Sequence, residues 1–248
     1  MSKKILNLMA WHFHNFWGIK LNSGRIVGIV EESKESEVTD AEGLFGNLVT
    51  EFGWRVRRLV EEEDEMRNVA QVQAEAFHIP VVFFNNLFLE FFKAEVLAAL
   101  LYKIRNSPPN RYACLVAEPT HSSDSDPLVH QRLVGVVDIT VSTDKDVLDH
   151  LEGAEEYLYV SGIAVLNKFR RQKVATVLLK ACDLLSLLWG FDYLALRAYE
   201  DDSAARKLYT NAGYRVVSGD PVWMTTWIGK KRRILMIKQS SLCVSLVK

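Results

Sequence analysis

Two adjacent arginines, Arg170 and Arg171, lie where a strand pattern meets a helix pattern in this 248-residue chain. An apolar, β-branched run predicts a strand over Leu158–Val165, and apolar residues recur at helical spacing from Val174 to Leu188. The first turn of a helix presents backbone N–H groups that have no helical partner, and the helix dipole is positive there. With two guanidinium groups beside those N–H groups, the loop is predicted to bind an anion, and phosphate is the obvious one.

A glycine interrupts the strand that precedes this loop. Gly162 stands among β-branched and apolar residues, where a side chain would normally help to pack the sheet. Glycine inside a strand indicates a β-bulge, or a close approach by another backbone or by a ligand. The sequence therefore predicts that the regular ladder is broken near Gly162, shortly before the anion-binding loop begins.

The loop and a second segment resemble the two conserved motifs of the GNAT N-acetyltransferases. Arg170–Ala175 (RRQKVA) is similar to the pyrophosphate loop of that family, (Gln/Arg)-x-x-Gly-x-(Gly/Ala), with Arg170 and Ala175 matching and Lys173 replacing the usual glycine. Asp202–Tyr214 (DSAARKLYTNAGY) resembles the family segment Asn-x-Ala-Ala-x-x-Leu-Tyr-x-x-x-Gly-Phe, with Asp202 in place of asparagine. The two motifs occur in the expected order and at the expected spacing, so together they are a specific signal.

The resemblance extends over about three quarters of the chain, from Trp54 to Lys238, and is greatest to the plastid-type GNAT enzymes of plants. It implies an α/β fold with mixed α+β character: a twisted mixed central sheet of six or seven strands with helices on both faces. The two central strands, Leu158–Val165 and Asp192–Leu196, are expected to splay apart and admit the cofactor. Residues 51–239 would form the GNAT domain and residues 240–248 a loose C-terminal tail.

Element boundaries are predicted from periodicity and from turn residues. Helices are expected from Glu61 to about Phe77 and over Asn85–Asn106, and the further strands are expected over Trp54–Leu59, Tyr112–Ala117, Leu133–Val141, Tyr214–Val217 and Ile234–Lys238.

The resemblance also implies acetyl-CoA as co-substrate and assigns residues to it. The pantetheine arm would pair like an added strand with Ile163, Ala164 and Val165. The pyrophosphate would lie on the backbone N–H groups of Arg171 to Thr176. The full set of predicted cofactor-binding residues is Ile163, Ala164, Val165, Arg170, Arg171, Gln172, Lys173, Val174, Ala175, Thr176, Asp202, Ser203 and Ala204.

Tyr209 corresponds to the tyrosine that the family places beside the thioester sulfur, and it is predicted to be the general acid. A phenol with a pKa of about 10 can protonate a leaving thiolate. Spacing alone would make Tyr209 an ordinary core residue, and only the surrounding motif favours the catalytic role. Lys173 keeps its backbone N–H, but if the loop requires a positive φ there, a lysine costs about 1 kcal/mol.

The general base is left open by the sequence. The central strand carries Tyr157 and Tyr159 where many relatives have a carboxylate, and Arg197 occupies a position where some relatives have glutamate. The remaining candidates have no distinguishing spacing and are each predicted to be solvated charges: Asp138, Glu155, Glu156 and Glu200. Proton loss from the amine to water is the other alternative.

Composition excludes several other classes of function. A formal net charge of −1 and a single short basic cluster, Lys230–Arg233, give no support to nucleic-acid binding. The most apolar window, Leu87–Ile104, is interrupted by charged residues, so membrane insertion is not expected. The chain has three cysteines without a CxxC pair, and His12 and His14 have no further ligand nearby, so no metal site is predicted.

The first 30 residues contain four basic residues and no acidic residue, after which the sign of the charge changes. Such a start is typical of an organelle transit peptide, and a poorly ordered extension is the alternative for residues 1–50. The resemblance favours import into the chloroplast stroma, with the cytoplasm as the alternative location.

The predicted function is transfer of acetyl from acetyl-CoA to protein N-terminal α-amines, lysine ε-amines or both, by direct attack in a ternary complex. The acceptor would be a protein or peptide with a free amine, and autoacetylation is a further event that this activity would allow. The alternatives are a small-molecule amine acetyltransferase and a non-catalytic acyl-CoA-binding module. A long segment, Ser218–Arg233, is predicted to shape the peptide site through Trp223.

Overall fold

A computed structural model describes residues 46–77, 85–120, 133–221 and 231–240. The strands are β1 (Val49–Glu51), β2 (Trp54–Arg58), β3 (Tyr112–Pro119), β4 (Gly135–Ser142), β5 (Tyr157–Val165), β6 (Tyr193–Tyr199), β7 (Arg215–Gly219) and β8 (Arg233–Gln239). The helices are α1 (Glu63–Phe77), α2 (Asn85–Asn106), α3 (Lys145–Leu148), α4 (Val174–Trp189) and α5 (Ser203–Asn211).

The described strands form one eight-stranded mixed sheet in the order β1-β2-β3-β4-β5-β6-β8-β7. Every neighbouring pair is antiparallel except β5 and β6, which run parallel. The predicted mixed sheet with helices on both faces is therefore confirmed, and the predicted elements lie within three residues of the observed ones. The expected count of six or seven strands is too low by at least one.

The additional strand is β1, which forms a tight hairpin with β2. Its three residues pair with Trp54–Val56, and the turn between the two strands is made by Phe52 and Gly53, both at positive φ (53° and 80°). A strand of three residues is too short to show the alternation from which a strand is predicted. β1 pairs with the edge of β2 that is not paired with β3.

Two helix layers cover opposite faces of the sheet because side chains alternate along each strand. On one face, apolar residues of the central strands pack against the buried stripe of α4, which includes Val177, Leu178 and Leu185. On the other face, α1 and α2 contribute Val69 and Leu100 to a second apolar cluster that contains residues of β3, β4 and β5. The central strands therefore have both faces buried over much of their length.

Helix α4 begins and ends at residues that the sequence marks clearly. It begins after Lys173 and its last residue is Trp189. The C-cap residue that follows is Gly190, whose φ of 75° allows its N–H to bond to the carbonyl groups of Leu187 and Ser186. A glycine in the left-handed conformation is the common way to end a helix. The basic loop is thus held between β5 and a helix whose apolar stripe is fixed in the core.

At the C-terminal end of the sheet, β8 ends at Gln239 and the structure describes one further residue, Ser240. Ser240 is buried, its N–H donates to the carbonyl of Asp192, and its hydroxyl lies 3.2 Å from that of Ser186. The expected tail therefore begins with a residue that packs against the domain. The rest of that tail, residues 1–45 and the Trp223 segment lie outside the described residues.

Candidate active site

The two central strands separate soon after they begin to pair. β5 and β6 form only two pairs, Leu158 with Leu194 and Tyr159 with Ala195, although both strands continue for several residues. Beyond these pairs the facing edges have no ladder between them, which leaves strand-type N–H and C=O groups available to an extended partner. The predicted splaying of the central strands is confirmed.

A bulge lies in β5 on the other side of the same strand, as Gly162 predicts. Ser161 pairs with Asp138 and Ala164 pairs with Val136, so Gly162 and Ile163 together lie opposite Val137 alone. Gly162 has a φ of +60°, a conformation that side chains rarely allow. The bulge changes the direction of the strand at the point where Ile163, Ala164 and Val165 enter the split.

A buried polar network holds the bulge in place. Asp138 is completely buried and accepts hydrogen bonds from the hydroxyl of Tyr112 at 2.5 Å and from Nε2 of Gln73 at 2.9 Å. The same Gln73 nitrogen lies 3.5 Å from the carbonyl oxygen of Gly162. The buried ammonium of Lys103 contributes a positive charge near Asp138, and burial lowers the pKa of that ammonium. Helix α1 and strands β3 and β4 are therefore tied to the bulge through one carboxylate.

This network corrects the sequence prediction for Asp138, which was expected to be a solvated charge. Gln73 and Tyr112 had not been singled out at all. The available signal was an aspartate in the middle of the apolar run from Leu133 to Val141. A buried carboxylate must have hydrogen-bond partners, and here those partners come from positions 65 and 26 residues away in the sequence.

The basic loop has an unusual backbone conformation at two residues. Arg171 and Lys173 have φ values of 65° and 71°, and Lys173 is the N-cap of α4 without any side-chain capping bond. The first helical hydrogen bond at this end runs from Val177 N to Lys173 O, at 3.0 Å. The N–H groups of Val174, Ala175 and Thr176 therefore lie in the first turn, where an α-helix offers no acceptor. These groups, together with the exposed side chains of the loop, form the predicted anion site.

The loop is fastened to its surroundings by three hydrogen bonds. Trp54 Nε1 donates to the carbonyl of Gln172 at 2.7 Å, and Gln172 Nε2 donates to the carbonyl of Lys168 at 3.0 Å. Arg170 Nε donates to the carbonyl of Val165 at 3.3 Å, which connects the loop directly to the end of β5. Trp54 was not predicted to take part. These bonds leave the charged side chains of Arg171 and Lys173 exposed at the surface.

Helix α5 follows β6, one of the two strands of the split, and carries the second motif. Asp202 is the N-cap, and its carboxylate accepts from the N–H of Ala205 at 2.9 Å. Ser203 and Ala204 are exposed in the first turn. The structure thus gives Asp202 a capping function that is common for aspartate, in addition to the predicted proximity to the cofactor.

Tyr209 projects from α5 into the core, with 7% of its surface exposed. Its ring makes an edge contact with Tyr214 at 6.2 Å between centroids. Burial raises the pKa of the Tyr209 phenol well above its ordinary value, and the negative charge of Asp202 and the neighbouring Tyr159 add to this effect. The phenol is therefore protonated at physiological pH and is a weaker acid than an exposed tyrosine. Tyr209 lies in the apolar cluster that also contains Leu158 and Leu194, which pair where β5 and β6 are still joined.

Three of the four carboxylates considered as general bases are held by other groups, and the fourth, Glu155, is exposed. Glu156 pairs with Arg111, Glu200 pairs with Arg232 at 2.5 Å, and Asp138 belongs to the buried network. The hydrogen bond from Arg111 lowers the pKa of Glu156, which makes that carboxylate a weaker base. The geometry gives none of these three residues a clear advantage in accepting the proton of an amine.

The described ranges contain no group of three or more His, Cys, Asp or Glu side chains that could hold a metal ion. No helix within those ranges is both long and apolar enough to cross a membrane.

Comparison with known proteins identifies the family. Residues 83–214 match the model of the Acetyltransferase (GNAT) family. The chain is 61% identical over 195 residues to GCN5-related N-acetyltransferase 10, chloroplastic, of Arabidopsis thaliana, covering 78% of this chain and 75% of the relative.

Solved structures with the same fold are much more distant in sequence. Arabidopsis thaliana NAA60 in complex with acetyl-CoA has a TM-score of 0.54 at 15% identity, covering 75% of this chain and 98% of that one. The NatC complex bound to Gag peptide and CoA has a TM-score of 0.53 at 13% identity, with the same coverage of 75% and 98%. A putative arylalkylamine N-acetyltransferase 7 from the mosquito Aedes aegypti has a TM-score of 0.53 at 15% identity, covering 76% and 88%. The family match and the chloroplastic relative, added to the split sheet and the two motifs, show that this chain belongs to the GNAT family of acetyltransferases.

Proposed function

We propose that this chain is an acetyl-CoA-dependent protein N-acetyltransferase that modifies N-terminal α-amines, lysine ε-amines or both. The observation that carries the proposal is the two-pair contact between β5 and β6, which opens an unpaired strand edge directly beside the uncapped start of α4. An extended chain of amides that ends in a pyrophosphate fits both features at once. Acetyl-CoA has this form and supplies an activated acetyl thioester.

The residues that would hold the co-substrate are those of the bulge and the loop. The backbone groups of Ile163 to Val165 would pair with the pantetheine amides, and the N–H groups of Arg171 to Thr176 would bind the pyrophosphate. The exposed Arg170, Arg171 and Lys173 add positive charge around it. Binding in this way orients the thioester in the split, between the ends of β5 and β6.

Transfer then requires one bond to form and one to break. The neutral amine nitrogen of the acceptor attacks the thioester carbonyl carbon, the C–N bond forms, and the C–S bond breaks. The leaving thiolate takes a proton from the Tyr209 hydroxyl, which is protonated at physiological pH as every phenol with a pKa of about 10 or more is. The phenolate is reprotonated by solvent after the products leave. The excess proton on the acceptor nitrogen passes to water.

A protein acceptor is preferred to a small amine because one fold neighbour with a TM-score above 0.5, the NatC complex, has a peptide bound together with CoA. The mosquito arylalkylamine enzyme has the same fold at similar distance, so the fold itself permits small acceptors as well. A module that only binds acyl-CoA would have no need of a protonated phenol beside the split. The 61% identical relative bears a chloroplastic name, and with the acid-free first 30 residues this supports a plastid location for the chain.

The test is incubation of the full chain with acetyl-CoA and a peptide library, with α- and ε-acetylation scored by mass spectrometry. Acetylated peptides would support the proposal and show which amine the cleft accepts, and an intact-mass measurement would detect autoacetylation. Turnover of small amines with no modified peptide would refute the protein acceptor. Fusion of residues 1–50 to a fluorescent protein tests the location, and a purely cytoplasmic signal would contradict plastid import.

A further inference from the structure

This inference rests on the proposed function, in which an acceptor would reach the split from the face of the sheet opposite α4 and α5. Leu158 and Val160 of β5 and Leu194 and Leu196 of β6 point to the face that α4 and α5 cover, and all four are buried in that core. Alternation sends Tyr159 of β5 and Ala195 and Arg197 of β6 to the opposite face.

Arg197 occupies a special place on that opposite face. Ala195 is the last residue of β6 that pairs with β5, so Arg197 is the next residue of β6 on that face, at the point where β5 and β6 begin to separate. Its guanidinium acts on the phenols of Tyr157 and Tyr159, since its charge counteracts the rise that burial causes in the pKa of both groups. Arg197 therefore borders the opening in which an acceptor amine would meet the thioester.

The charge around Arg197 is incompletely balanced. Its Nη1 atom lies 3.7 Å from Asp220, a distance that permits attraction but exceeds a hydrogen bond. The other oxygen of the same carboxylate, Oδ2, forms an ion pair with Nε of Arg233 at 3.2 Å. The neighbouring Glu200 forms an ion pair through Oε1 with Nη1 of Arg232 at 2.5 Å. Three guanidinium groups thus share two carboxylates. Arg197, whose side chain is 21% exposed, has the loosest of these ion pairs and remains open to solvent.

A fixed positive charge at this position selects among amines. It repels an ammonium ion and a second cationic group, which disfavours polyamines and lysines within basic segments. It attracts a carboxylate, which the planar N–H fork of arginine can bind with two parallel hydrogen bonds. We propose that Arg197 is a specificity-determining residue that selects acidic peptide acceptors, in which a carboxylate lies one or two residues from the reactive amine.

Matched peptides test this proposal. Two peptides that differ only at the second residue, Ser-Glu and Ser-Gln, are mixed with the full chain and acetyl-CoA, and the ratio of their kcat/KM values is measured by mass spectrometry. We expect kcat/KM to be about tenfold higher for the acidic peptide than for the neutral one. The attraction between two close opposite charges changes such a ratio by roughly a factor of ten. Arg197→Gln is expected to reduce the ratio to about one, and Arg197→Glu to favour a Ser-Lys peptide instead.

Arg215→Gln is the matched control, because Arg215 is an exposed arginine on β7 whose loss should leave the ratio unchanged. Equal use of the two peptides by the wild-type chain would overturn the proposal, and so would a preference that survives in Arg197→Gln. If the Arg197 variants do not fold, the wild-type ratio is measured against salt concentration, and a ratio that does not fall with salt overturns the proposal. If the wild-type chain acetylates no peptide at all, the protein-acceptor function itself has failed, which is a different result from a ratio of one.

Discussion

The Oδ2 atom of Asp138 lies 2.8 Å from the position that a Cβ atom on Gly162 would occupy. The amide nitrogen of Gln73 lies 3.1 Å from the same point. The carboxylate thus fills the space that the missing side chain leaves, and the bulge in β5 and the buried network are one structural unit. Any residue other than glycine at this position must displace a buried charge.

Substitution of Gly162 by alanine is therefore expected to reduce both stability and CoA binding. Gly153 provides the matched control, since it has a similar φ of +71° but no atom within 4 Å of its virtual Cβ. Gly153→Ala should cost only the left-handed conformation, about 1 kcal/mol, or about 2–4 °C in Tm. Gly162→Ala should lower Tm further and weaken CoA binding in a calorimetric titration, because it also moves the bulge. Equal effects of the two variants on Tm and on CoA affinity would show that the contact with Asp138 has no role.

Two variants of Lys173 distinguish the effect of its positive charge on CoA binding from the effect of its strained backbone on stability. Lys173→Ala removes the ammonium and keeps a Cβ atom at a φ of 71°, whereas Lys173→Gly removes both. We expect both variants to bind CoA several-fold more weakly at low salt, with the difference from the wild type shrinking as salt increases. Lys173→Gly should unfold at a higher urea concentration than Lys173→Ala, by about 1 kcal/mol in the free energy of unfolding. Wild-type CoA affinity in both variants at low salt would exclude a phosphate contact by the lysine.

Tyr209 and Tyr214 form a pair in which only one hydroxyl is assigned to catalysis. Tyr209→Phe is expected to lower kcat about 100-fold with a small change in KM, because a general acid acts in the transition state. Tyr214→Phe is the control: its hydroxyl is buried without a hydrogen-bond partner among the described residues, so its loss should leave kcat unchanged. Steady-state kinetics with an acetylated peptide product would measure both. Turnover of Tyr209→Phe at the wild-type rate would remove the proposed role.

Stability is expected to fall at alkaline pH because several phenols are buried in the core. Burial raises the pKa of Tyr157 to about 12, and it raises the pKa values of Tyr112 and Tyr214 well above the ordinary value. A group with a raised folded-state pKa contributes its full stability below the unfolded pKa, about 10 for tyrosine, and loses it as the pH rises through the folded pKa. For Tyr157 the loss should extend from about pH 10 to about pH 12.

Urea unfolding monitored between pH 8 and pH 11 tests this, with tyrosinate absorbance recorded in parallel. The free energy of unfolding should begin to decrease at about pH 8.5, where Cys114 and Cys182 ionise in the unfolded chain, and should decrease further above about pH 10. If the buried phenols ionise near pH 10 while the chain stays folded, their pKa values are not raised and the prediction is wrong.

Local patterns in the sequence predicted the elements around the site well. The bounds of α2 were predicted as observed, and the bulge at Gly162 and the splitting of β5 from β6 are both confirmed. The bulge follows from a local conformational requirement, which one glycine in a β-branched run reveals. The splitting was expected only from the resemblance, since no residue pattern in β5 or β6 reports how far their pairing extends.

The buried network could not be predicted because it depends on residues that are distant in sequence. An aspartate on a strand is usually exposed, and Asp138 becomes buried only when α1 brings Gln73 across the sheet. The backbone of Lys173 is a similar case. The sequence raised the question of a positive φ there, but the answer depends on how β5 and α4 are joined in three dimensions.

The short contact between β5 and β6 also has a consequence for the life of the protein in the cell. A ligand that completes the missing ladder binds the native chain and not the unfolded one, so it stabilises the native chain by about 2.7 kcal/mol at one hundred times its dissociation constant. Degradation of unfolded protein would then be slower when acetyl-CoA is abundant and faster when it is scarce. The open sheet would make the amount of this enzyme follow the metabolic supply of its own substrate.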